Sequence, residues 1–290
     1  MRVFVTGASG GLGRAFLENM LRDGHIVTAL SRREMSTQIS GLEWIRGDLS
    51  SPGSWASALA GADAVAHLAA LTHAADPAAY YPVNVEGTRL LIEVARHANF
   101  SGRFLFVGTR AMGEACGAYG ASKELAEAVV RASGLDFVIV RPAEVMGLGR
   151  GEAAAQVVWA VDRLPIVPIP GMGYCRLAPV HVEDVTAAMS AALVSPLASR
   201  RSYVLAGPKE MTYSEMVETV MLLRGVKKPK LPVPFFLLRG LALAYRLCGL
   251  SRPPLVADQI PRLTCPKSVD IDPARRDLGF APRPFEAMLD

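Results

Sequence analysis

The feature that most constrains this chain lies at its start. Residues 2–6, Arg-Val-Phe-Val-Thr, form a short apolar run that leads directly into Gly7-Ala8-Ser9-Gly10-Gly11-Leu12-Gly13. Residues 14–23 then carry Phe16, Leu17, Met20 and Leu21 at helical spacing, and Gly24 supplies the stop. Residues 25–30 read as a second strand. A strand, a glycine turn, a helix and another strand make one βαβ unit of about 30 residues. Each glycine has its own reason. Gly7 allows a sharp turn, Gly10 lets backbone approach a pyrophosphate, and Gly13 lets helix and strand pack closely. The helix N-terminus adds free N–H groups and partial positive charge. The turn therefore predicts a dinucleotide site contacted by Gly7, Ser9, Gly10, Gly11, Leu12 and Gly13.

The alternation continues. Strands are expected at 42–46, 64–69, 103–107 and 137–141, and helices at 55–60, 83–98 and 122–133. This predicts an α/β Rossmann fold, a doubly wound parallel sheet with a smaller C-terminal substrate lobe. Regularity fades after Pro142, where Pro165, Pro168, Pro170, Gly171 and Gly173 mark a loop-rich stretch. A helix at 182–194, a strand at 203–206 and a capping box at Thr212 and Glu215 follow. Residues 1–165 are expected to form the nucleotide-binding domain. Residues 166–290 are expected to be mainly the lobe, with about 178–206 returning to the main sheet.

The end of the second strand bears on the choice of dinucleotide. An acidic residue there would hold the ribose hydroxyls of NAD; this chain has Ser31-Arg32-Arg33. Two guanidinium groups suit a 2′-phosphate, which favours NADP and leaves NAD as the other possibility. Further along, Tyr119 and Lys123 stand four residues apart at the start of a helix, on one face. The ammonium is expected to lower the phenol's pKa and make it a usable acid or base. Thr109 follows the fifth strand, at the carboxyl edge where open α/β sheets bind ligands, and could hold a substrate oxygen.

Other features exclude function classes or mark structure. Basic residues are spread along the chain, with a net charge of +4, so no nucleic-acid partner is expected. Cys116, Cys175, Cys248 and Cys265 lack metal-ligand spacing, so no metal is expected; such scattered cysteines suggest reduced thiols in a cytoplasmic protein. The first strand is expected to begin at Arg2 without an apolar segment before it, so no secretory signal is expected. Residues 231–250 are apolar but broken by Pro232, Pro234, Arg239 and Arg246, which argues against a spanning helix. A buried or lid helix is the plainer reading, and peripheral membrane contact the sharper one. His67 and His181 read as structural, and Trp44, Trp55 and Trp159 as core or lid residues. Thr72 and His73, after the fourth strand, are candidate substrate contacts.

Taken together, these motifs resemble the extended short-chain dehydrogenase/reductases, the NAD-dependent epimerase/dehydratase family. The resemblance rests on residues 6–13, Gly-Asp-Leu at 47–49, His-Leu-Ala-Ala at 67–70, Asn-Val-Glu-Gly-Thr at 84–88, Tyr-Gly-Ala-Ser-Lys at 119–123, Arg-Pro-Ala-Glu-Val-Met-Gly at 141–147 and Pro-Val-His-Val-Glu-Asp-Val at 179–185. It implies that Tyr119 is the general acid/base, that Lys123 binds the nicotinamide ribose, and that Thr109 supports the substrate oxygen. Asp48 and Leu49 should meet adenine, while Leu68, Ala69 and Ala70 line the cofactor channel. Pro142 and Ala143 should lie by the nicotinamide, Asn84 should brace the strand edge, and Arg176 matches a diphosphate-pairing position of sugar-nucleotide members. Members of this family often pair as homodimers through two helices, with 122–133 as the face here.

Departures from the family pattern narrow the choice. Arg110-Ala111 stand where dehydratases carry an acidic pair, so that mechanism loses its extra acid and base. The chain's ending resembles members acting on sterols, other hydrophobic substrates or lipid-linked sugars. It also resembles a branch that binds NADPH structurally, although Tyr119 and Lys123 are kept. Three readings follow: an NADP-dependent oxidoreductase interconverting a secondary alcohol and a ketone, an epimerase with tightly bound cofactor, or a non-enzymatic NADPH-binding protein.

Overall fold

The computed structural model describes residues 1–35, 38–148, 153–240 and 258–289. Its centre is a seven-stranded, wholly parallel sheet. In chain order the strands are β1 (Arg2–Thr6), β2 (Ile26–Ser31), β3 (Leu42–Arg46), β4 (Ala64–His67), β5 (Arg103–Val107) and β6 (Asp136–Pro142). The short strands β7 (Val145–Met146), β8 (Val167–Pro170), β9 (Arg176–Leu177) and β10 (Val180–His181) lie outside this sheet, and β11 (Arg201–Leu205) rejoins it. The spatial order is β11-β6-β5-β4-β1-β2-β3. Strand order reverses between β1 and β4, and that switch point opens a crevice at the carboxyl edge.

Alternation along each strand builds two cores. Val3 and Val5 of β1 and Leu105 of β5 face α1 (Gly11–Arg22) and α5 (Val182–Val194), against Phe16, Met20, Val185 and Met189. Phe4, Phe104 and Phe106 face the other way, onto α2 (Gly87–His97), α3 (Gly117–Arg131) and Trp55. Each fully buried phenylalanine contributes about 1.5–3 kcal/mol. A third core joins α4 (Ala153–Arg163) to α6 (Tyr213–Leu223) through Val157, Val161, Met216, Val217 and Val220. The tail also returns to the first core: Ile271, Ala274 and Phe280 pack there.

Local chemistry shifted several boundaries. Residues 55–60 form no α-helix; two 3-10 turns, Pro52–Ser54 and Ala56–Leu59, occupy this stretch. Pro52, Gly53 and Gly61 leave too few residues for an α-helical run. The helix expected at 83–98 opens with a π-helical turn, Pro82–Glu86, before α2. The one expected at 122–133 starts earlier, at Gly117, so Tyr119 lies in its first turn. The capping box at Thr212 and Glu215 is fully formed.

Two cysteines correct the expectation of reduced thiols. Cys116 and Cys265 form a disulfide across 149 residues, while Cys175 is free and buried. Spacing could not reveal this pair, because only the folded chain brings the tail to the start of α3. Trp55 is wholly buried, whereas Trp159 is 57% exposed at a cavity mouth. Of the apolar stretch 231–250, residues 241–250 lie outside the described residues. Its beginning is a strand, β12 (Lys230–Val233), paired with β8, and residues 235–240 after it are helical. Among the described residues no helix is long and apolar enough to cross a membrane.

Candidate active site

Backbone hydrogen bonds close the phosphate turn. Gly10 N donates to the Gly7 carbonyl at 3.0 Å, and Arg14 N to the Gly10 carbonyl at 2.9 Å. Helix α1 has no side-chain cap and no acidic residue in its first turn, and Ser9, Gly10 and Gly11 are exposed. Uncapped N–H groups beside a Cβ-free approach fit an anionic pyrophosphate. Gly7 sits at φ +73°, and a Cβ there would come within 2.5 Å of Ala69 N. The turn after β1 therefore packs on the Leu68–Ala69 backbone, and Thr6 Oγ1 accepts from Ala69 N. Ser31 is buried at the end of β2, while Arg32 and Arg33 are exposed there. Hydrogen bonds from Ser50, aided by nearby Arg32, hold the Asp48 carboxyl below its usual value. Leu49 packs against Gly87.

His67 braces this edge from within, as its place in a buried strand suggested. Its Nδ1 lies 2.6 Å from Thr6 Oγ1 and its Nε2 2.9 Å from Thr88 Oγ1. Burial, with Lys123 nearby, pushes its pKa down to about 3, so the ring is neutral. Asn84 ties the next loop to α3: its Oδ1 accepts from Leu71 N at 2.7 Å, and its Nδ2 donates to Ser122 Oγ at 2.9 Å.

Hydrogen bonds between neighbouring loops bring the catalytic candidates together. Gly108 N donates to the Val140 carbonyl and Arg110 N to the Pro142 carbonyl, which sets Thr109 beside Pro142 and Ala143. The Thr109 hydroxyl lies close enough to the Tyr119 phenol to favour its ionised form. Lys123, on the same helix, is buried; its Nζ donates to the Val107 carbonyl at 2.7 Å and lies over the Phe106 ring. Burial brings its pKa down to about 7.

The expectation that Lys123 lowers the Tyr119 pKa is corrected. Burial raises the Tyr119 pKa, and the cation opposing that rise is Arg262. The Arg262 guanidinium carbon sits 4.0 Å from the Tyr119 ring centroid. Sequence reasoning missed Arg262 because no motif surrounds it and it joins the site only through folding.

Thr72, His73, Thr109, Tyr119, Pro142 and Ala143 all line one cavity of about 850 Å³. Its remaining wall is largely apolar and includes Leu148, Trp159, Leu164, Val233, Leu238 and Leu263. Arg110, noted for replacing an acid, is a buried strut bound to Glu144 at 2.9 Å and Glu210 at 3.4 Å. Burial alone would raise the Glu144 pKa, but Lys267 and Arg110 hold it below its usual value. Arg176 does not line the cavity; it pairs with Glu210 at 2.7 Å on an exposed edge. His181 caps α5, accepting from Glu183 N.

The sequence profile of the NAD dependent epimerase/dehydratase family matches residues 3–206. The chain belongs to that family. Among its relatives, a ceramide reductase of Caulobacter vibrioides is 30% identical, the match covering 88% of this chain and 80% of the relative. A 2-alkyl-3-oxoalkanoate reductase of Stenotrophomonas maltophilia is 27% identical over 98% and 95% of the two chains. Among solved structures, a dTDP-glucose 4,6-dehydratase of Streptomyces venezuelae superposes with a TM-score of 0.77, covering 100% of this chain and 94% of that one. At 22% identity that likeness speaks for the fold. Family and relatives together make the chain an enzyme of the extended short-chain dehydrogenase/reductase type.

Proposed function

We propose that this enzyme is an NADP-dependent oxidoreductase that reduces a ketone on a hydrophobic, long-chain substrate to a secondary alcohol. One observation carries the reading: Tyr119 and Thr109 together line a largely apolar cavity of about 850 Å³. That volume is in the usual range for sites that enclose a small molecule, about 300–1,000 Å³. The polar lining includes Thr72 and His73, which would take the substrate's oxygen-bearing end. The ceramide and 2-alkyl-3-oxoalkanoate reductases among the relatives support this substrate class.

The glycine turn would hold the pyrophosphate, Asp48 and Leu49 the adenine, and Lys123 the nicotinamide ribose. Arg32 and Arg33, exposed at the end of β2, support a 2′-phosphate and hence NADP. When bound, the reduced cofactor supplies hydride. Thr109 orients the substrate carbonyl, and Tyr119 donates the proton to its oxygen. A raised phenol pKa keeps Tyr119 protonated at neutral pH, the form that proton donation requires.

Two further parts of the reading have surface support. Leu231, Phe236 and Leu237 are exposed beside Val233 and Leu238 of the cavity wall, which supports substrate entry from a lipid surface. Tyr81 and Leu125, exposed along a groove between α2 and α3, support pairing of two copies through those helices. The deciding experiment follows NADPH consumption with long-chain 3-oxoacyl compounds and sugar nucleotides, for the wild type and Tyr119→Phe. Consumption with the former, lost in Tyr119→Phe, is expected. Isomerisation of a sugar nucleotide without net NADPH consumption would instead establish an epimerase.

A further inference from the structure

The Tyr119 ring is covered by a segment 140 residues away in sequence. Asp258 Oδ1 accepts from Ala118 N at 2.8 Å, at the start of α3. Asp258 Oδ2 pairs with Arg262 Nη2 at 2.5 Å. Arg262 then donates from Nη1 to the Thr72 carbonyl at 2.8 Å and from Nη2 to the Tyr80 phenol at 2.9 Å. Its buried Nε has no hydrogen-bond acceptor. The guanidinium instead lies over the Tyr119 ring at 4.0 Å and near that of Tyr80 at 5.7 Å, as a cation over aromatic faces does. The disulfide ties residues on either side of this contact, Cys116 to Cys265.

We propose that Arg262 is a positioning residue for Tyr119: it holds the phenol ring against Thr109 and supplies the positive charge that stabilises the phenolate left after proton donation. The proposal rests on the reading of Tyr119 as proton donor. In that step the Tyr119 O–H bond breaks and an O–H bond forms on the substrate oxygen. The electron pair stays on the phenol oxygen, and solvent returns the proton.

Charged and titratable groups surround Tyr119 on every packed element. Lys123 lies on its own helix, but its ammonium is engaged by the Val107 carbonyl. Tyr80 meets the ring edge-on at 5.8 Å. His73, Arg110 and Glu144 lie in the cavity wall, the last two paired with each other. Asp258 offsets part of the Arg262 charge. Arg262 is the cation that rests on the ring, and it is fixed there by three separate acceptors.

The test is an ultraviolet titration of tyrosinate, with Tyr119 isolated by difference from Tyr119→Phe, in the full-length protein with and without NADPH. Arg262→Met is expected to raise the Tyr119 pKa by about one unit, since a cation at this range typically shifts an acid by about 1–3 units and Asp258 offsets some of that. Arg262→Lys should bring the value back toward wild type. Ketone reduction by Arg262→Met should fall about tenfold in kcat, the equivalent of that one unit, with KM for NADPH unchanged. If Arg262→Met fails to fold because Asp258 is left unpaired, Asp258→Asn/Arg262→Met removes both charges and serves in its place. A Tyr119 pKa identical to wild type in the folded variant would overturn the proposal. If the wild type reduces no ketone, the functional reading fails, while the titration still decides the role of Arg262.

Discussion

Replacing Gly7 with alanine tests how tightly the nucleotide turn is built into the sheet. Two costs act at this position. Gly7 has φ +73°, and an L-residue forced into left-handed backbone loses about 1–2 kcal/mol. The added Cβ would also stand 2.5 Å from Ala69 N and 2.6 Å from the Leu68 carbonyl carbon. Those atoms are backbone just after β4 and cannot rotate away, so overpacking adds about 1–3 kcal/mol. The sum is about 2–5 kcal/mol, a large part of a typical domain's stability. Two other glycines separate these costs. Gly24 has φ +74° with nothing within 4 Å of a Cβ, so Gly24→Ala should show the backbone cost alone. Gly13 has no left-handed strain, but a Cβ there would overlap the Gly7 carbonyl, so Gly13→Ala should show the steric cost alone. Urea unfolding measures all three, and calorimetric titration with NADPH measures the site. Gly7→Ala should lose most stability, and only the Gly7 and Gly13 variants should lose nucleotide affinity. A Gly7→Ala protein no less stable than Gly24→Ala would refute the packing of this turn on Leu68 and Ala69.

Three further outcomes are expected. Arg32→Ala/Arg33→Ala should weaken NADPH about 10²–10⁴-fold while leaving NADH nearly unchanged, since hydrogen bonds to charged groups contribute about 1.5–3 kcal/mol each and two are removed; equal loss for both nucleotides would argue against 2′-phosphate recognition. Cys265→Ser opens a loop of 149 residues and should cost about 5 kcal/mol in the chain-entropy account; a urea midpoint that is indifferent to this change and to thiol reductant would show that the bond does not form. His67 is neutral in the fold, with a pKa near 3, but takes up a proton in the unfolded chain below its ordinary value of 6.5. Its contribution is therefore intact above pH 6.5 and is lost at about 1.4 kcal/mol per pH unit as pH falls from 6.5 toward 3. Stability curves of wild type and His67→Gln between pH 7 and 5 should differ in slope accordingly, and parallel curves would contradict the buried neutral ring.

Much of the fold could be read from local signals. The glycine turn, the apolar runs of β1, β5 and β6, and the pairing of Thr212 with Glu215 depend on residues within a few positions of one another. Boundaries were less legible where proline and glycine compete with helix formation, as between Pro52 and Gly61. The candidate site divides in the same way. Tyr119 and Lys123 share a helix, and Thr109 follows a strand, so each was visible in its own stretch.

Sequence by itself determined the parallel sheet, the anion-binding turn and the residue types set at its carboxyl edge, because periodicity and backbone constraint act over short distances. Tertiary structure alone decided what surrounds Tyr119. It set Arg262 on the ring, engaged Lys123 with the Val107 carbonyl, and joined Cys116 to Cys265. The physical reason is burial: the charge a phenol meets depends on which distant groups are carried with it out of water, and no local pattern encodes that.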